Sequence, residues 1–582
     1  MQGSPTARAT SADGRFVYTL YQSPGNYPFV HALAAAAGTA RCIGIPWGPG
    51  RDQSVLGALA LSANGRELGV GATGGHASFT VDTKTYRVTA ARGGMRHESS
   101  WWALLAPGAL AVALVTAALR RLGRRALRPL ATTAPKRPRA RLSGLVRRYH
   151  VTTFGCQMNA HDSERIKGLL EELGLGEAPS ADEADVVVFN TCTIREKPDT
   201  KLAAHLAEAA ARKREDPARV IAVGGCYAEA QRERIFELYP QVDVAFGPGS
   251  ITHLGEWLGA GGVGVARGRF GLDERAFAAE LPPHRERRFQ AWVQVSMGCN
   301  SVCSYCIVPS VRGREKSRRL GDIVGEVGRL AREGVREVTL LGQNVNSYGR
   351  DLGTDFATLL RACDAVDGIE RIRFTSPHPK DFRPPVIAAI AECEAVCEHV
   401  HLPLQSGSSR ILKAMRRTYT RERYLALVER LRSAIPDLAL GTDIIVGFPG
   451  ETEEDFRATL EVVEEVGYDS AFTFVYSPRA GTEAASLPDQ IPHGTKIERM
   501  ERLVELTQRV AQARNAERVG RTEEVLVEGP SRSDPALLRG RTRRNTTVNF
   551  VGDAAPGELV PVRIESATST TLRGTQHALV AA

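Results

Sequence analysis

From Arg148 onward the chain alternates short apolar runs with longer stretches whose apolar residues recur at helical spacing, a pattern that predicts α/β architecture. The runs at 151–154, 186–190 and 220–224 are rich in β-branched residues. The stretches 162–172 and 200–213 between them read as helices. Together they predict a small doubly wound parallel sheet over residues 148–265. Six further runs follow, at 292–296, 337–341, 371–375, 400–404, 441–446 and 471–475, each leading into a helical pattern. Six such units predict a partial (β/α)6 barrel over residues 285–515, with its polar motifs at strand C-termini, where barrel enzymes hold their chemistry. Alternation of the β type returns at 523–527, 546–550 and 559–564, so residues 518–582 are expected to form a small antiparallel β-barrel.

The first 147 residues follow other rules. Ser11-Ala12-Asp13-Gly14-Arg15 recurs loosely as Ser62-Ala63-Asn64-Gly65-Arg66, each a turn signal leading into a strand, and residues 1–100 read as a propeller-like fragment. About two blades fit in such a span, too few to close a ring. Residues 101–119 carry no charge and are long enough to cross a bilayer. Arg120, Arg121, Arg124, Arg125 and Arg128 follow, which would leave everything downstream in the cytoplasm. Because Pro107 and Gly108 interrupt this Ala-rich run, a buried helix is the alternative to a transmembrane helix. Residues 120–147 read as a basic linker, and no export signal opens the chain. The whole segment has the look of the tail of an unrelated membrane-anchored protein, joined by gene fusion or a misplaced start.

Length and charge narrow the picture only slightly. A chain of 582 residues holds about three or four domains, and a net charge of +9 permits an anionic partner such as RNA without requiring one. Ten cysteines in this length argue for metal ligation in a reducing compartment over a disulfide scaffold, so the working domains are expected in the cytoplasm.

The cysteine spacing changes the picture most. Cys299, Cys303 and Cys306 stand in C-x3-C-x2-C order in one short loop. Three thiolates so spaced can hold one face of a [4Fe–4S] cluster and leave the fourth iron open to a substrate or cofactor. A zinc knuckle would want a fourth Cys or His at similar spacing. Cys156, Cys192 and Cys226 each follow a predicted strand, and strand C-termini of a parallel sheet converge on one edge, as a second cluster site needs. Cys363, Cys393 and Cys397 fall in helical pattern, with Cys393 and Cys397 on one helix face, and read as buried thiols.

The loop resembles that of radical S-adenosylmethionine (SAM) enzymes. More specifically, the chain from about Arg148 resembles the MiaB family of tRNA methylthiotransferases. The resemblance rests on ordered motifs: Thr153-Phe154-Gly155-Cys156-Gln157-Met158-Asn159, Asn190-Thr191-Cys192, Gly224-Gly225-Cys226, Leu340-Leu341-Gly342-Gln343-Asn344-Val345-Asn346, His401-Leu402-Pro403-Leu404-Gln405-Ser406-Gly407-Ser408, and the run from Asp443 to Glu451. It implies two [4Fe–4S] clusters, one on Cys299, Cys303 and Cys306 and an auxiliary one on Cys156, Cys192 and Cys226. SAM would bind the open iron of the first, and its cleavage to a 5′-deoxyadenosyl radical would allow methylthio insertion at C2 of N6-isopentenyl-adenosine beside the tRNA anticodon. An electron donor such as flavodoxin or ferredoxin and a sulfur source are implied as further partners, and a membrane only through the N-terminal segment.

Within that frame, Gln343 and Asn344 follow a glycine that permits close backbone approach, and their amides suit the methionyl end of SAM. Gln405, Ser406 and Asp443 lie at or near later strands and are candidates for the ribose or substrate. Gly447-Phe448-Pro449-Gly450-Glu451 lacks the ending of a phosphate loop and reads as a turn shaping the SAM pocket. Tyr305 reads as a cluster cover or as core packing, and His378 as a substrate contact or a structural residue. The C-terminal barrel resembles the RNA-binding TRAM module, so Arg539, Arg541, Arg543 and Arg544, flanking an expected turn at Gly540, are candidate phosphate contacts.

Related methylthiotransferases act on threonylcarbamoyl-adenosine or on a ribosomal-protein aspartate, but the motifs around Cys156 and Gln343 fit the isopentenyl-adenosine branch better. A membrane-tethered redox sensor would keep the cysteines without the SAM-pocket motifs, which are present. Tyr227-Ala228-Glu229 intervenes before Ala230-Gln231, where the family pattern is tighter, and Ser296-Met297 precedes Gly298.

Overall fold

The computed structural model describes eight short β segments between residues 4 and 90, then residues 147–577 except 194–195, 260–266, 272–276, 278 and 280. The chain divides into two compact units, Met1–Thr133 and Ala134–Ala582.

In the first unit, strands Ser4–Thr10, Phe16–Gln22, Phe29–Ala34 and Thr39–Gly44 form one antiparallel sheet in chain order. Leu56–Leu61, Glu67–Ala72, Ala77–Asp82 and Val88–Ala90 form another. Tyr18, Leu20, Val30, Leu68, Val70 and Val81 share one core. Two sheets and no ring are formed by the described strands, which lend the propeller reading no support. The candidate span at 101–119 lies outside the described residues, and among those described no helix is long and apolar enough to cross a membrane.

The second unit opens on a six-stranded parallel sheet. Its spatial order is Gly176–Glu177, Arg148–Phe154, Val186–Thr191, Val220–Gly225, Val244–Phe246 and Arg267–Arg269. Val186, Val188, Val220, Ala222 and Val244 pack on one face. Val187, Phe189, Ile221, Val223 and Ala245 pack on the other. Two cores explain why these strands are apolar at successive positions rather than alternating. Helices Gln157–Glu172 and Glu196–Glu215 both start earlier than their apolar periodicity predicts. The first turns of Gln157–Glu172 are polar, yet Asn159, His161, Asp162 and Ser163 are buried there.

The six barrel strands follow in two parallel sheets, Gln290–Gln294, Glu337–Leu341 and Arg371–Phe374, then His399–His401, Ala439–Val446 and Ser470–Val475. A bridge between Ile372 and Val396 links them. The first strand stops short of the expected 296, because Ser296–Met297 turns away to pair antiparallel with Lys316–Ser317. That small ladder ties together the two ends of the cysteine loop.

A closed five-stranded barrel ends the unit, in the order Thr522–Pro530, Leu538–Thr542, Thr547–Val551, Thr571–Gln576, Leu559–Ala567. Gly540 sits inside a strand and not at a turn: a Cβ there would come within 2.4 Å of Leu526 O. The barrel docks on the N-terminal ends of the radical-barrel strands. Arg371, 1% exposed, donates to Arg541 O at 2.8 Å and Glu524 O at 2.9 Å. Arg373 donates to Thr542 O at 2.8 Å and Arg543 O at 2.9 Å, and Glu337 accepts from its Nε.

Candidate active site

Cys156, Cys192 and Cys226 follow three strands of the parallel sheet and meet at its C-terminal edge, next to the switch in strand order between Arg148–Phe154 and its neighbours. Cys156 caps helix Gln157–Glu172, and Cys226 is the first residue of helix Cys226–Gln231. Gly225 has φ +95°, and a Cβ there would lie 2.4 Å from Thr191 O, so the approach to Cys226 requires glycine. A buried amide pair braces the edge. Asn190 Nδ2 donates to Asn159 O at 2.8 Å and Ser163 Oγ at 2.9 Å, and its Oδ1 accepts from Asn159 Nδ2 at 3.2 Å.

The thiols of this edge feel one another. A hydrogen bond with Cys192 pulls the Cys156 thiol down to about 5 against the opposing effect of burial, with help from the Arg312 charge. Burial pushes Cys226 up. Arg312 reaches this edge from the other domain, its Nε donating to Cys226 Sγ at 3.2 Å and its Nη2 to Asp162 Oδ2 at 2.9 Å.

The second set lies at the C-terminal end of the barrel strands. Cys299 N–H donates to Gly313 O and Cys306 N–H to Cys303 O, each at 3.1 Å, which curls the loop inward. Arg417 Nη1 donates to Cys303 Sγ at 3.4 Å. Burial, then the neighbouring Cys303 and Cys299, push the Cys306 thiol up to about 12. All six cysteines are free thiols. Among the described residues no three His, Cys, Asp or Glu side chains stand close enough to hold a single metal ion. Thiolates that each take a different iron of a cluster are spaced more widely than the ligands of one ion.

Beside that loop lies a group of buried polar atoms with no partner: both amide atoms of Gln343, Asn344 Oδ1, Ser296 Oγ and Gln294 Oε1. An unsatisfied buried polar group costs about 1–3 kcal/mol, so a concentration of them at strand ends marks a place for a polar ligand. Gly342 keeps the space open, since a Cβ there would lie 2.6 Å from Ser296 Oγ. Asn344 is oriented by its Nδ2, which donates to Asp381 Oδ2 at 2.7 Å.

The other predicted residues divide. Gln405 has φ +67° and binds Asp443 O through its N–H, while the Asp443 carboxylate faces His401 Nε2 at 3.3 Å. Ser406 is turned inward, its Oγ 3.5 Å from Thr459 Oγ1 and accepting from Ser408 N–H, and so braces a turn. Tyr305 packs against the cluster of Ile411, Met415, Phe448 and Tyr476. His378 caps a short turn by accepting from Lys380 N–H, and burial pulls it down to about 2. Gly447 N–H is bound by the Glu451 carboxylate, which Arg499 also holds. Cys393 and Cys397 do not share a helix face, because that helix ends at Glu392.

The four candidate arginines of the small barrel are engaged within the chain. Arg543 holds Glu398 and the carbonyls of Glu394 and Val396. Arg544, 6% exposed, pairs with Asp437 and Asp469. Arg539 and Arg541 both lie on Glu528. Arg543 and Arg544 thereby clamp the small barrel to the larger one. Arg312, Arg417, Ser296, Asp381 and the Asn159–Asn190 pair carry no assignment in the sequence reading, though all but Asp381 and Arg417 stand in or beside its motifs.

The radical SAM superfamily profile matches residues 293–463, the Uncharacterized protein family UPF0004 residues 148–247, and the TRAM domain residues 516–576. The tRNA-2-methylthio-N(6)-dimethylallyladenosine synthase of Mycolicibacterium smegmatis is 48% identical over 462 residues, covering 75% of this chain and 87% of its own. The synthase of the same name from Streptomyces coelicolor is 51% identical over 437 residues, 73% of this chain and 86% of its own. Among solved structures, the radical SAM methyltransferase TsrM from Kitasatospora setae, with cobalamin and a [4Fe-4S] cluster bound, aligns at 15% identity and a TM-score of 0.43 over 59% of this chain and 77% of that one.

Proposed function

The chain belongs to the tRNA-2-methylthio-N(6)-dimethylallyladenosine synthase family, and on that premise we propose how its residues divide the work. The enzyme is a radical SAM methylthiotransferase that acts on isopentenyl-adenosine in tRNA, and its cofactors are SAM and [4Fe–4S] clusters. Cys299, Cys303 and Cys306 hold the cluster that binds SAM, and Cys156, Cys192 and Cys226 hold the auxiliary cluster. When bound, SAM and the reduced cluster supply the one-electron chemistry that opens an unactivated adenine C–H bond, and the auxiliary site supplies the sulfur.

The unpartnered atoms of Gln343, Asn344 and Ser296 support a role in holding the amino-acid end of SAM. Gln405, beyond strand His399–His401, and Asp443, within strand Ala439–Val446, orient the ribose or the substrate. Ser406 supports them by fixing the turn against Thr459. The apolar group around Tyr305 keeps water from the cluster loop. tRNA contact through the small barrel falls to Arg539 and Arg541, which keep part of their surface exposed on Glu528. A flavodoxin or ferredoxin as reductant, a sulfur donor and a cytoplasmic setting complete the reading.

The observation that carries it is the pair of three-thiol sets at the C-terminal edges of two parallel sheets, one of them beside unsatisfied amides. Anaerobic reconstitution with iron and sulfide counting, followed by mass spectrometry of tRNA nucleosides, tests it. Two clusters and a methylthio nucleoside are expected. A single cluster, or tRNA of unchanged mass, would overturn the assignment.

A further inference from the structure

We propose that Arg312 is a positioning residue of the auxiliary site: its guanidinium donates to the Cys226 sulfur and thereby raises the reduction potential of the cluster that sulfur ligates. The inference rests on the reading of Cys226 as an auxiliary ligand.

Arg312 ends the short helix Val308–Arg312, six residues beyond Cys306, and so belongs to the loop that carries the first cysteine set. Its side chain leaves that loop and crosses to the neighbouring parallel-sheet domain. There Nε meets Cys226 Sγ at 3.2 Å and Nη2 meets Asp162 Oδ2 at 2.9 Å. Arg312 is 4% exposed, Asp162 2% and Cys226 1%, so no water competes for these contacts.

A buried guanidinium is held by acceptors placed to match its fork, and here one acceptor is a carboxylate and the other a thiol sulfur. Asp162 fixes the plane of the group. Its fixed plane leaves Nε aimed at Cys226. A positive charge and a hydrogen bond on a ligating sulfur draw electron density from a cluster, and hydrogen bonds to sulfur are among the factors that set cluster potentials. Cys156 Sγ donates instead to the uncharged amide Asn159 Oδ1. The hydrogen bond from the cation is thus given to Cys226, while its charge also reaches Cys156, and it is delivered by the loop of the other cluster. A shift of that loop would move the donor on Cys226, which gives the two sites a physical link.

The test uses the full chain and the variants Arg312→Gln, Arg312→Lys, Asp162→Asn and Cys226→Ala, all reconstituted anaerobically. Iron content is measured first, then both clusters are followed by EPR in a redox titration. Cys226→Ala should lose the iron of one cluster. Full iron in that variant would sink the ligand assignment, and the proposal with it. In Arg312→Gln the auxiliary potential should fall while that of the first cluster stays in place. Arg312→Lys, which keeps the charge but not the fork, should fall less, and Asp162→Asn should fall in the same direction through loss of orientation. An auxiliary potential equal to wild type in Arg312→Gln overturns the proposal. So does an equal shift of both clusters, the mark of a general structural change. If Arg312→Gln does not keep its auxiliary iron, Arg312→Lys decides, and an unshifted auxiliary potential there is again fatal.

Discussion

Cys299, Cys303 and Cys306 stand in one loop whose ends are tied by the ladder of Ser296–Met297 on Lys316–Ser317, whereas Cys156, Cys192 and Cys226 come from three separate strand ends. The loop site can be assembled from local hydrogen bonds such as Cys299 N–H to Gly313 O. The sheet-edge site exists only once the parallel sheet has formed, since strand order alone brings its thiols together. Local closure costs little chain entropy, and closure across a sheet is secured by the cores on its two faces. The edge site should therefore be the one that reports on the fold of its whole domain.

The largest expected contrast is chemical. Cys299→Ala should reduce SAM cleavage by more than about 100-fold, beyond what outer-shell changes at metal sites produce. Cys156→Ala should cleave SAM at near the wild-type rate and form no methylthio nucleoside. Chromatography of 5′-deoxyadenosine alongside nucleoside mass spectrometry separates the two, and equal cleavage by both variants would erase the division of labour.

Asn190→Ala sharpens the contrast through stability. It strips partners from Asn159 and Ser163 in a buried setting, for an expected loss of about 2–4 kcal/mol in that domain. Chelator should then remove the auxiliary iron well before the loop iron. Simultaneous loss would show that the two sites share one cooperative unit.

A smaller effect is expected from Arg544→Ala, which leaves the partly buried Asp469 without its main cation and should loosen the docked small barrel by about 2 kcal/mol. Proteolysis near residues 517–521 would detect the loosening. Both clusters should stay, because neither cysteine set touches that barrel, and tRNA affinity should fall with its salt slope preserved. A flattened slope would restore Arg544 as a phosphate contact.

The smallest effect is predicted for removal of the first unit. A chain beginning near Ala140 should load both clusters and modify tRNA at the full-length rate, since every residue assigned to chemistry lies beyond Arg148. Loss of activity with both clusters loaded would reveal a role for the N-terminal strands.

Strand ends and their cysteines were legible because a two-faced core leaves continuous apolar runs, and the residue just past such a run has to stand on the sheet edge. The start of helix Gln157–Glu172 was not, because its first polar side chains are buried against Asn190 and Arg312 and read as a loop until those partners are seen. Strand Leu538–Thr542, reading Leu-Arg-Gly-Arg-Thr, escaped for a similar reason. A basic run looks the same in sequence whether it is solvated or paired. The acids that claim Arg543 and Arg544 are Glu398, Asp437 and Asp469, remote in the chain and on another domain. Gln343 could be placed from its glycine and strand, whereas the direction of the Ser406 hydroxyl depends on Thr459, supplied by a later helix.

Arg371 and Arg373 grip the small barrel by the carbonyl oxygens of Glu524, Arg541, Thr542 and Arg543. Every residue type carries that oxygen, so the grip reads backbone shape and is blind to side-chain identity apart from the added Glu524 carboxylate. This part of the docking therefore tolerates substitutions at Arg541 and Thr542 that keep the backbone path, whereas the contacts made by the Arg543 and Arg544 side chains do not. Drift on the opposite side of the contact is not free, since a lysine in place of either arginine would lose the fork that spans two carbonyls.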